Sequence, residues 1–244
     1  MIEIGVPMGG GGKTFGERGF TFPKPLIEIE GKPMIELVVQ NLRPREPHRF
    51  TFICRQDHLQ AFALRDVLEL IAPGCHVVSM PAATAGALCS VLLAAETLAS
   101  DNELLVANAD QQIDVSIDDY LAAARRGRWD GYVMTFPSTH PKWSFVRVEG
   151  DLVVAAAEKR PISKHATVGL YYFRRATSLL EGAERMLVKN ASVDGQFYVC
   201  PVYNELILAG RRVSHYPIER EQMHSLGTPE DLEAFVGRHQ TRTL

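Results

Sequence analysis

Residues 7–33 read PMGGGGKTFGERGFTFPKPLIEIEGKP, and this stretch follows an apolar, strand-like run at residues 2–6. Six of its glycines precede Leu26, and basic residues such as Lys13 and Lys24 lie among them. Because glycine has no side chain, several backbone N–H groups can approach phosphate oxygens closely, and fixed cations nearby balance the phosphate charge. The stretch therefore predicts a loop that handles a polyphosphate such as a nucleoside triphosphate.

The two common phosphate-binding motifs both fail to fit this loop. A P-loop of the form GxxxxGK[ST] needs its first glycine at position 7, which is Pro7. The glycines and prolines after Thr14 also make the long helix of a P-loop implausible. The dinucleotide fingerprint GxGxxG has Phe15 where its third glycine belongs. A P-loop kinase remains the rival interpretation of the glycine-rich loop.

Composition narrows the class of protein. A chain of 244 residues is long enough for one large α/β domain. Its net charge of −3 argues against binding to nucleic acid or to an anionic membrane, because both favour a basic surface. No signal-like segment and no long apolar run are visible, so we expect a cytoplasmic protein without membrane insertion. Neither a zinc site nor a disulfide framework is indicated, since no CxxC pair occurs among Cys54, Cys75, Cys89 and Cys200.

Short apolar runs alternate with helical patterns, which predicts an α/β fold of three layers, α/β/α and Rossmann-like, with a mixed, mainly parallel central sheet. We expect one domain, 1–244, with a nucleotide-binding half at 1–136 and an acceptor-binding half at 137–244. The predicted strands are residues 2–7, 49–54, 76–80, 103–107, 131–136, 145–148, 152–156 and 167–173. The predicted helices are residues 33–42, with Pro33 at the first helical position, and 58–71, 85–99, 117–126, 176–188 and 202–209.

Three pieces of residues 7–33 resemble, in order and spacing, the N-terminal signature of the sugar-phosphate nucleotidyltransferases, the group of glucose-1-phosphate thymidylyltransferase and mannose-1-phosphate guanylyltransferase. They are the glycines at 10–12, PKPL at 23–26 and GKP at 31–33. Further similar segments are TAGA at 84–87, Asn-Ala-Asp at 108–110, Glu-Lys at 158–159 and GTPEDL at 227–232. The sequences TFPKP at 21–25 and PKWSF at 141–145 most resemble those of small members of the group that are found in capsule and lipopolysaccharide gene sets. This resemblance implies a GT-A-like fold.

This resemblance implies a reaction and its partners. A nucleoside monophosphate passes from a nucleoside triphosphate to a sugar 1-phosphate or related small phosphate, and pyrophosphate leaves, for capsule or lipopolysaccharide precursors. The acceptor phosphate is already an ionised nucleophile, so catalysis consists of alignment and placed cations rather than a general base. A homo-oligomer is compatible with this class. The alternatives are a GT-A-type glycosyltransferase with a nucleotide-sugar donor and a catalytically silent nucleotide-binding subunit.

The resemblance also implies roles for particular residues. The catalytic set is Lys13, Lys24 and Asp110, and Asp110 is the ligand of the Mg²⁺ cofactor. Acceptor binding falls to Glu158, Lys159, Gly169 and Asp194. Independently of the resemblance, the residue type and position of Thr84 favour an N-cap of the helix that follows, which is compatible with anion binding at that helix end. The nucleotide-binding residues are Met8, Gly9, Gly10, Gly11, Gly12, Lys13, Thr84 and Gly86.

Two positions depart from the pattern of the group. Thr14 stands where an arginine is usual, and Lys13 supplies the charge there without the bidentate fork of arginine. Ser225 stands where a second metal-binding aspartate is usual. His224 and Asp194 are the alternative ligands, and otherwise Asp110 alone holds the metal.

Overall fold

The computed structural model describes residues 1–10, 12–98 and 100–242. Its helices are α1 (Lys13–Glu17), α2 (Met34–Leu42), α3 (Gln56–Ala61), α4 (Leu64–Ile71), α5 (Ala87–Leu92), α6 (Ala95–Leu98), α7 (Ile117–Arg126), α8 (Ala176–Val188), α9 (Val202–Leu208) and α10 (Pro229–Arg242). Its strands are β1 (Ile2–Met8), β2 (Glu28–Ile29), β3 (Lys32–Pro33), β4 (His48–Arg55), β5 (His76–Met80), β6 (Glu103–Ala107), β7 (Gln111–Ile113), β8 (Gly131–Pro137), β9 (Ser144–Glu149), β10 (Leu152–Glu158), β11 (His165–Phe173), β12 (Val213–Pro217) and β13 (Met223–Ser225).

The described strands form one nine-stranded sheet and two small ribbons. The path of the large sheet is β10-β9-β11-β6-β1-β4-β5, and β8 joins β11 to β12. Strands β5, β4, β1 and β6 are mutually parallel, as are β8 and β12. Strand β11 is antiparallel to β6, β8 and β9, and β10 is antiparallel to β9. The prediction of a mixed, mainly parallel central sheet is confirmed.

Helices cover both faces of this sheet. Side chains alternate along β6, so that Leu105 and Ala107 belong to one apolar core while Leu104 and Val106 belong to another. The first core includes residues of α2, α4 and α7, and the second includes residues of α5, α6, α8 and α9. Parallel strands buried on both faces give the continuous apolar runs seen in the sequence. The three-layer α/β/α fold is therefore confirmed, while the division at residue 136 stays a prediction.

A third apolar cluster joins the glycine-rich stretch to the C-terminal segment. An exposed ion pair between Arg18 and Glu230 links the same two segments, although such pairs add little stability. Apolar burial therefore holds the glycine-rich stretch against the C-terminal segment. The buried members of this cluster are Phe15, Ile27, Ile29, Met34, Leu226, Leu232 and Phe235.

Three predicted helices differ from the structure. Helix α2 begins at Met34, and Pro33 precedes it in an extended conformation because it pairs with Glu28 in the β2–β3 ribbon, so its placement as the first helical residue is wrong. The predicted helix 58–71 is two helices, because Ala63 has a left-handed φ of 48° that interrupts the helical hydrogen bonds. The predicted helix 85–99 begins only at Ala87 and is divided into α5 and α6. Its expected last residue, Ala99, lies outside the described residues.

Several short elements have no counterpart in the sequence prediction. Strands β7 and β13 form a ribbon of three residue pairs, from Met223 with Ile113 to Ser225 with Gln111. Three residues are too few to establish a period of two, which explains why the pattern gave no signal. Strand β12 and helix α10 were likewise not predicted. Within the described residues, no helix combines the length and apolar character that a membrane crossing requires.

Replacement of Phe235 by alanine tests the third apolar cluster. Phe235 is 2% exposed, and its loss should lower the free energy of unfolding by about 3 kcal/mol because a large cavity remains. Urea unfolding measures this change. Leu208→Ala is the control, since Leu208 is 73% exposed and its loss should change stability by less than about 0.5 kcal/mol. Equal effects of the two variants would contradict the assignment.

Candidate active site

A cleft of about 430 Å³ lies at the carboxyl ends of β1 and β6. These strands are parallel neighbours, so the segments after Met8 and after Ala107 leave the sheet at the same edge. The carboxyl edge of a parallel sheet is where α/β proteins usually bind ligands. The polar side chains that line the cleft are Lys24, Asn108, Asp110, Gln111, Lys142, Ser144, Glu158, Thr167, Tyr198, Ser225, Thr228 and Asp231.

Lys24 and Asp110 form an ion pair inside this cleft. The Lys24 ammonium donates a hydrogen bond to Asp110 Oδ2, and the two side chains are only 20% and 28% exposed. Pro23 and Pro25 flank Lys24, which begins a 3₁₀ turn, so the backbone of the lysine is restricted. The carbonyl of Asp110 accepts a hydrogen bond of 2.8 Å from the N–H of Leu226. The structure thus brings together two of the predicted catalytic residues on firmly held segments.

A second ion pair in the cleft was missed from the sequence. Lys142 Nζ lies 3.5 Å from Asp231 Oδ1, and the Ser225 hydroxyl donates a hydrogen bond of 2.8 Å to Asp231 Oδ2. A Cβ at Gly227 would lie 3.3 Å from Asp110 Oδ2 and 3.4 Å from Ser225 Oγ, so the two pairs are close neighbours. Asp231 and Lys142 lie within the segments 227–232 and 141–145 that resemble the nucleotidyltransferases. That resemblance was the available signal for both.

The alternative metal ligands are placed differently. His224 is 3% exposed, and its Nε2 lies 3.0 Å from Oδ2 of Asp114. Among the described side chains that line the cleft, neither His224 nor Asp194 is present. The structure therefore does not bring either residue to Asp110.

The glycine-rich loop is partly described. Met8 and Gly10 line the cleft. Gly9 packs tightly, because a Cβ there would lie 2.7 Å from Met80 Cε. Gly12 has a φ of 56° and approaches Lys24, whose Cβ would lie 3.3 Å from a Cβ at Gly12. Gly11 lies outside the described residues, and so does the side chain of Lys13, whose backbone begins α1.

The segment at 84–87 has a different geometry from the predicted cap. Gly86, with a φ of 109°, is the residue that precedes α5, and the Thr84 hydroxyl donates to its carbonyl at 3.0 Å. The Thr84 and Ser90 hydroxyls are also hydrogen-bonded at 2.7 Å. The prediction of Thr84 as helix cap is wrong because its hydroxyl donates to a carbonyl instead of accepting from the N–H groups of the first turn. Its nucleotide-binding role stays a prediction.

Two of the residues predicted to bind the acceptor, Glu158 and Gly169, line the cleft, whereas Lys159 and Asp194 are not among the described residues of its lining. Glu158 is buried and accepts a hydrogen bond from the Ser144 hydroxyl, and burial raises its pKa above the ordinary value. Lys159 follows Glu158 in the sequence with a left-handed φ of 52°, and its ammonium donates to the hydroxyl of Tyr198, which lines the cleft, at 2.8 Å. Asp194 acts electrostatically on the same ammonium. Tyr198 was missed, because it lies in a loop without periodicity.

Gly169 lines the cleft and also has a packing role. Its φ is 91°, and a Cβ there would overlap Asn108 Nδ2 and lie 2.5 Å from Gln111 Oε1. Its carbonyl accepts hydrogen bonds from the N–H of Asn108 at 3.0 Å and from Gln111 Nε2 at 3.1 Å. Gly169 therefore fixes both ends of the segment that carries Asp110.

The oxygen donors around Asp110 fit a hard cation. The carboxylate lies in the cleft beside the Ser225 hydroxyl, and Asn108 lines the same space. Among the residues that the structure describes, no group of three or more His, Cys, Asp or Glu side chains is placed to hold a metal ion. A Mg²⁺ site of one carboxylate completed by substrate phosphate and water agrees with the usual chemistry of that ion.

The sequence of residues 6–193 matches the model of a protein family described as the MobA-like NTP transferase domain. The chain belongs to this family. A comparison with curated proteins gave no match. The resemblance to nucleotidyltransferases inferred from the sequence is confirmed.

Solved structures of similar fold include three other proteins. A nucleoside-diphosphate-sugar pyrophosphorylase from Vibrio cholerae RC9 is 26% identical with a TM-score of 0.80, over 97% of this chain and 100% of that one. A UDP-glucose pyrophosphorylase from Acinetobacter baumannii is 16% identical, with a TM-score of 0.75 over 98% and 93% of the two chains. The inositol-1-phosphate CTP transferase of T. maritima is 15% identical, with a TM-score of 0.76 over 97% and 93%. The UDP-glucose pyrophosphorylase and the inositol-1-phosphate CTP transferase show that this NTP transferase shares their fold.

Gly169→Ala tests the packing behind Asp110. The added methyl group should lower the free energy of unfolding by at least about 2 kcal/mol, because overpacking and left-handed strain combine. Gly150→Ala is the matched control, since Gly150 has a φ of 59° with no atom within 4 Å of the added Cβ, and strain alone should cost about 1 kcal/mol. Chemical denaturation of both variants measures the difference, and equal losses would show that Gly169 is needed only for its backbone conformation.

Proposed function

We propose that this NTP transferase moves a nucleoside monophosphate from a nucleoside triphosphate to a sugar 1-phosphate or related phosphate, with release of pyrophosphate. The observation that carries the proposal is the Lys24–Asp110 pair in a cleft that is also lined by Glu158 and Tyr198, the sequence neighbour and the hydrogen-bond partner of Lys159. The similar solved structures are sugar-nucleotide pyrophosphorylases and a CTP transferase, and their activities support the same class of reaction.

In the proposed step, an oxygen of the acceptor phosphate attacks the α-phosphorus of the triphosphate. A new phosphorus–oxygen bond forms while the bond to the β-phosphate oxygen breaks, so that pyrophosphate carries away the leaving charge. The attacking oxygen is already ionised, and no general base is required. The main barriers are the repulsion of two polyanions and their alignment, which fixed cations and positioned groups reduce.

The residues divide this work by position. Lys24 lies inside the cleft and would neutralise the α-phosphate and the incoming oxygen, while Lys13 would act on the departing phosphates. Lys159 would hold the acceptor phosphate, with Glu158 near the acceptor. The nucleotide would lie along Met8 to Gly12 and against Thr84 and Gly86. Because Lys24 is paired with Asp110, binding of a phosphate to the lysine competes with the carboxylate for the same ammonium.

A magnesium ion fits the donors around Asp110. When bound, it would act as a Lewis acid that neutralises phosphate charge. Asp110 would hold it through one carboxylate oxygen, and Ser225 would contribute a neutral hydroxyl rather than a second charge.

The biological role we propose is synthesis of an activated precursor for capsule or lipopolysaccharide. This proposal rests on the resemblance of residues 21–25 and 141–145 to members of the group found in capsule and lipopolysaccharide gene sets. A glycosyltransferase is less well supported, because such enzymes usually present Asp-x-Asp where this chain has Asn108-Ala109-Asp110.

A substrate panel tests the reaction. Each common nucleoside triphosphate is combined with glucose 1-phosphate, mannose 1-phosphate or phosphocholine in the presence of Mg²⁺, and pyrophosphate release is measured. We expect release with one base and one acceptor class, and only when both are present. Nucleotide binding without product from any pair would instead favour a silent subunit. Sugar transfer from a nucleotide sugar would favour a glycosyltransferase.

Lys24→Met should lower kcat about 100-fold or more with the active pair, because a transition-state cation is lost. Lys32→Met is the control within the same stretch, since Lys32 Nζ lies 3.2 Å from Gln40 Oε1 and does not line the cleft among the described residues. It should leave kcat close to that of the unchanged protein. Similar losses in both variants would show that the stretch matters for folding rather than for chemistry.

Removal of divalent cations should abolish pyrophosphate release, and added Mg²⁺ should restore it. Asp110→Asn should raise the Mg²⁺ concentration needed for half-maximal rate, because an amide oxygen is a weaker ligand than a carboxylate. The rate is measured in a Mg²⁺ titration after treatment with EDTA. Full activity in EDTA would exclude the proposed cofactor.

A further inference from the structure

Lys159 is held by Tyr198 through a hydrogen bond. Its ammonium donates this bond to the Tyr198 hydroxyl at 2.8 Å. The backbone of Lys159 is fixed as well, because its N–H donates to the carbonyl of Trp143 at 3.0 Å. Lysine has four rotatable side-chain bonds, so an exposed lysine normally samples many positions. Tyr198, which lines the cleft, restricts that freedom.

Tyr198 is itself attached to the nucleotide side of the cleft through its neighbour. The N–H of Phe197 donates to the carbonyl of Ala85 at 2.7 Å, and the carbonyl of Phe197 accepts from the N–H of Leu88 at 3.0 Å. Gly86 lies so close that a Cβ there would be 2.7 Å from the nitrogen of Phe197. The tyrosine is therefore carried by a segment that the loop before α5 holds in place.

The surroundings of Lys159 support a role that needs a charged ammonium. The hydrogen bond to Tyr198 raises the pKa of Lys159, and Glu158 and Asp194 act in the same direction. In the described parts of the chain, no carboxylate lies within ion-pair distance of its ammonium, whereas Lys24 and Lys142 are both paired. A neutral hydroxyl partner fixes the lysine without cancelling its charge.

We propose that Tyr198 is a positioning residue that holds Lys159 for the acceptor phosphate, and that residues 85–88 set the place of Tyr198 through Phe197. The assignment of the ligand as an acceptor phosphate rests on the proposed function. The contact between Tyr198 and Lys159, and its dependence on residues 85–88, do not rest on the proposed function. Residues 85–88, next to the predicted nucleotide-binding residue Thr84, are in this way linked to Lys159 by hydrogen bonds of Phe197 and Tyr198.

The first measurement needs no substrate. The folded protein is treated with acetic anhydride over a range of pH, and acetylation of Lys159 is followed by mass spectrometry with Lys189 as the internal reference. Tyr198→Phe should make Lys159 react several-fold faster at a given pH, because an amine with a lower pKa is more often deprotonated. Tyr172→Phe is the control. It also removes a tyrosine hydroxyl, which donates to Glu103 Oε1 at 2.6 Å, but Tyr172 is not among the described residues that line the cleft. Unchanged Lys159 reactivity in Tyr198→Phe would overturn the proposal.

The second measurement uses the pair that releases pyrophosphate in the substrate panel. Tyr198→Phe should raise KM for the acceptor about tenfold, as expected for loss of a hydrogen bond to a charged group, and leave KM for the nucleotide unchanged. A change in acceptor KM without a change in Lys159 labelling would mean that Tyr198 contacts the substrate directly, which contradicts positioning. If no pair releases pyrophosphate, the proposed function fails while the labelling result still decides the contact.

Gly86→Ala tests the support of Tyr198 without altering the tyrosine or the lysine. The added methyl group must displace Phe197, so Lys159 should become more reactive toward acetic anhydride, as in Tyr198→Phe. Circular dichroism and thermal unfolding establish that the variant is folded. If Gly86→Ala does not fold, Phe197→Ala is measured instead, because it loosens the same segment without backbone strain. Wild-type reactivity in the folded variant would show that residues 85–88 do not set the place of Tyr198.

Discussion

The ion pair between Lys24 and Asp110 is the constraint on which the arrangement of the cleft depends. The two residues are 86 positions apart, and each is fixed by a different device. Two prolines restrict Lys24, and parallel pairing of β6 with β1 places Asp110 at the same sheet edge. Opposite charges that are three-quarters removed from water interact more strongly than exposed ones. The pair thus brings a fixed cation and a carboxylate together at one place on a chain of negative net charge.

The C-terminal segment completes this arrangement. It provides the N–H of Leu226 to the Asp110 carbonyl, packs Gly227 beside the Asp110 carboxylate, and contributes Phe235 to the third apolar cluster. The match to the family model ends at residue 193, yet Ser225 and Asp231 line the cleft. The cleft therefore combines the matched region with a segment beyond it, and its acidic wall is defined by the fold of the whole chain.

The sequence predicted the parts of the fold that periodic burial controls. Strands β5 and β6 and helices α7 and α8 have the predicted bounds, because fully buried or amphipathic segments carry a clear pattern. The left-handed residue Ala63 was not predictable, since alanine normally favours the right-handed helix. Lys24 and Asp110 were identified by resemblance, but their direct pairing requires the β1–β6 register. Tyr198 was missed because it lies in a loop without periodicity, whereas Lys142 and Asp231 lie in segments that the resemblance covered but to which no role was assigned.

The departure at Ser225 has a different meaning once the geometry is known. A serine removes a negative charge from position 225, but its hydroxyl donates to Asp231, whose carboxylate lines the same cleft. The acidic wall therefore keeps two carboxylates, Asp110 and Asp231, and each is paired with a lysine. Because Asp231 is part of the GTPEDL segment that the resemblance already covers, Ser225 leaves the cleft with one negative charge fewer than the pattern of the group, and its hydroxyl binds the carboxylate of Asp231 that remains.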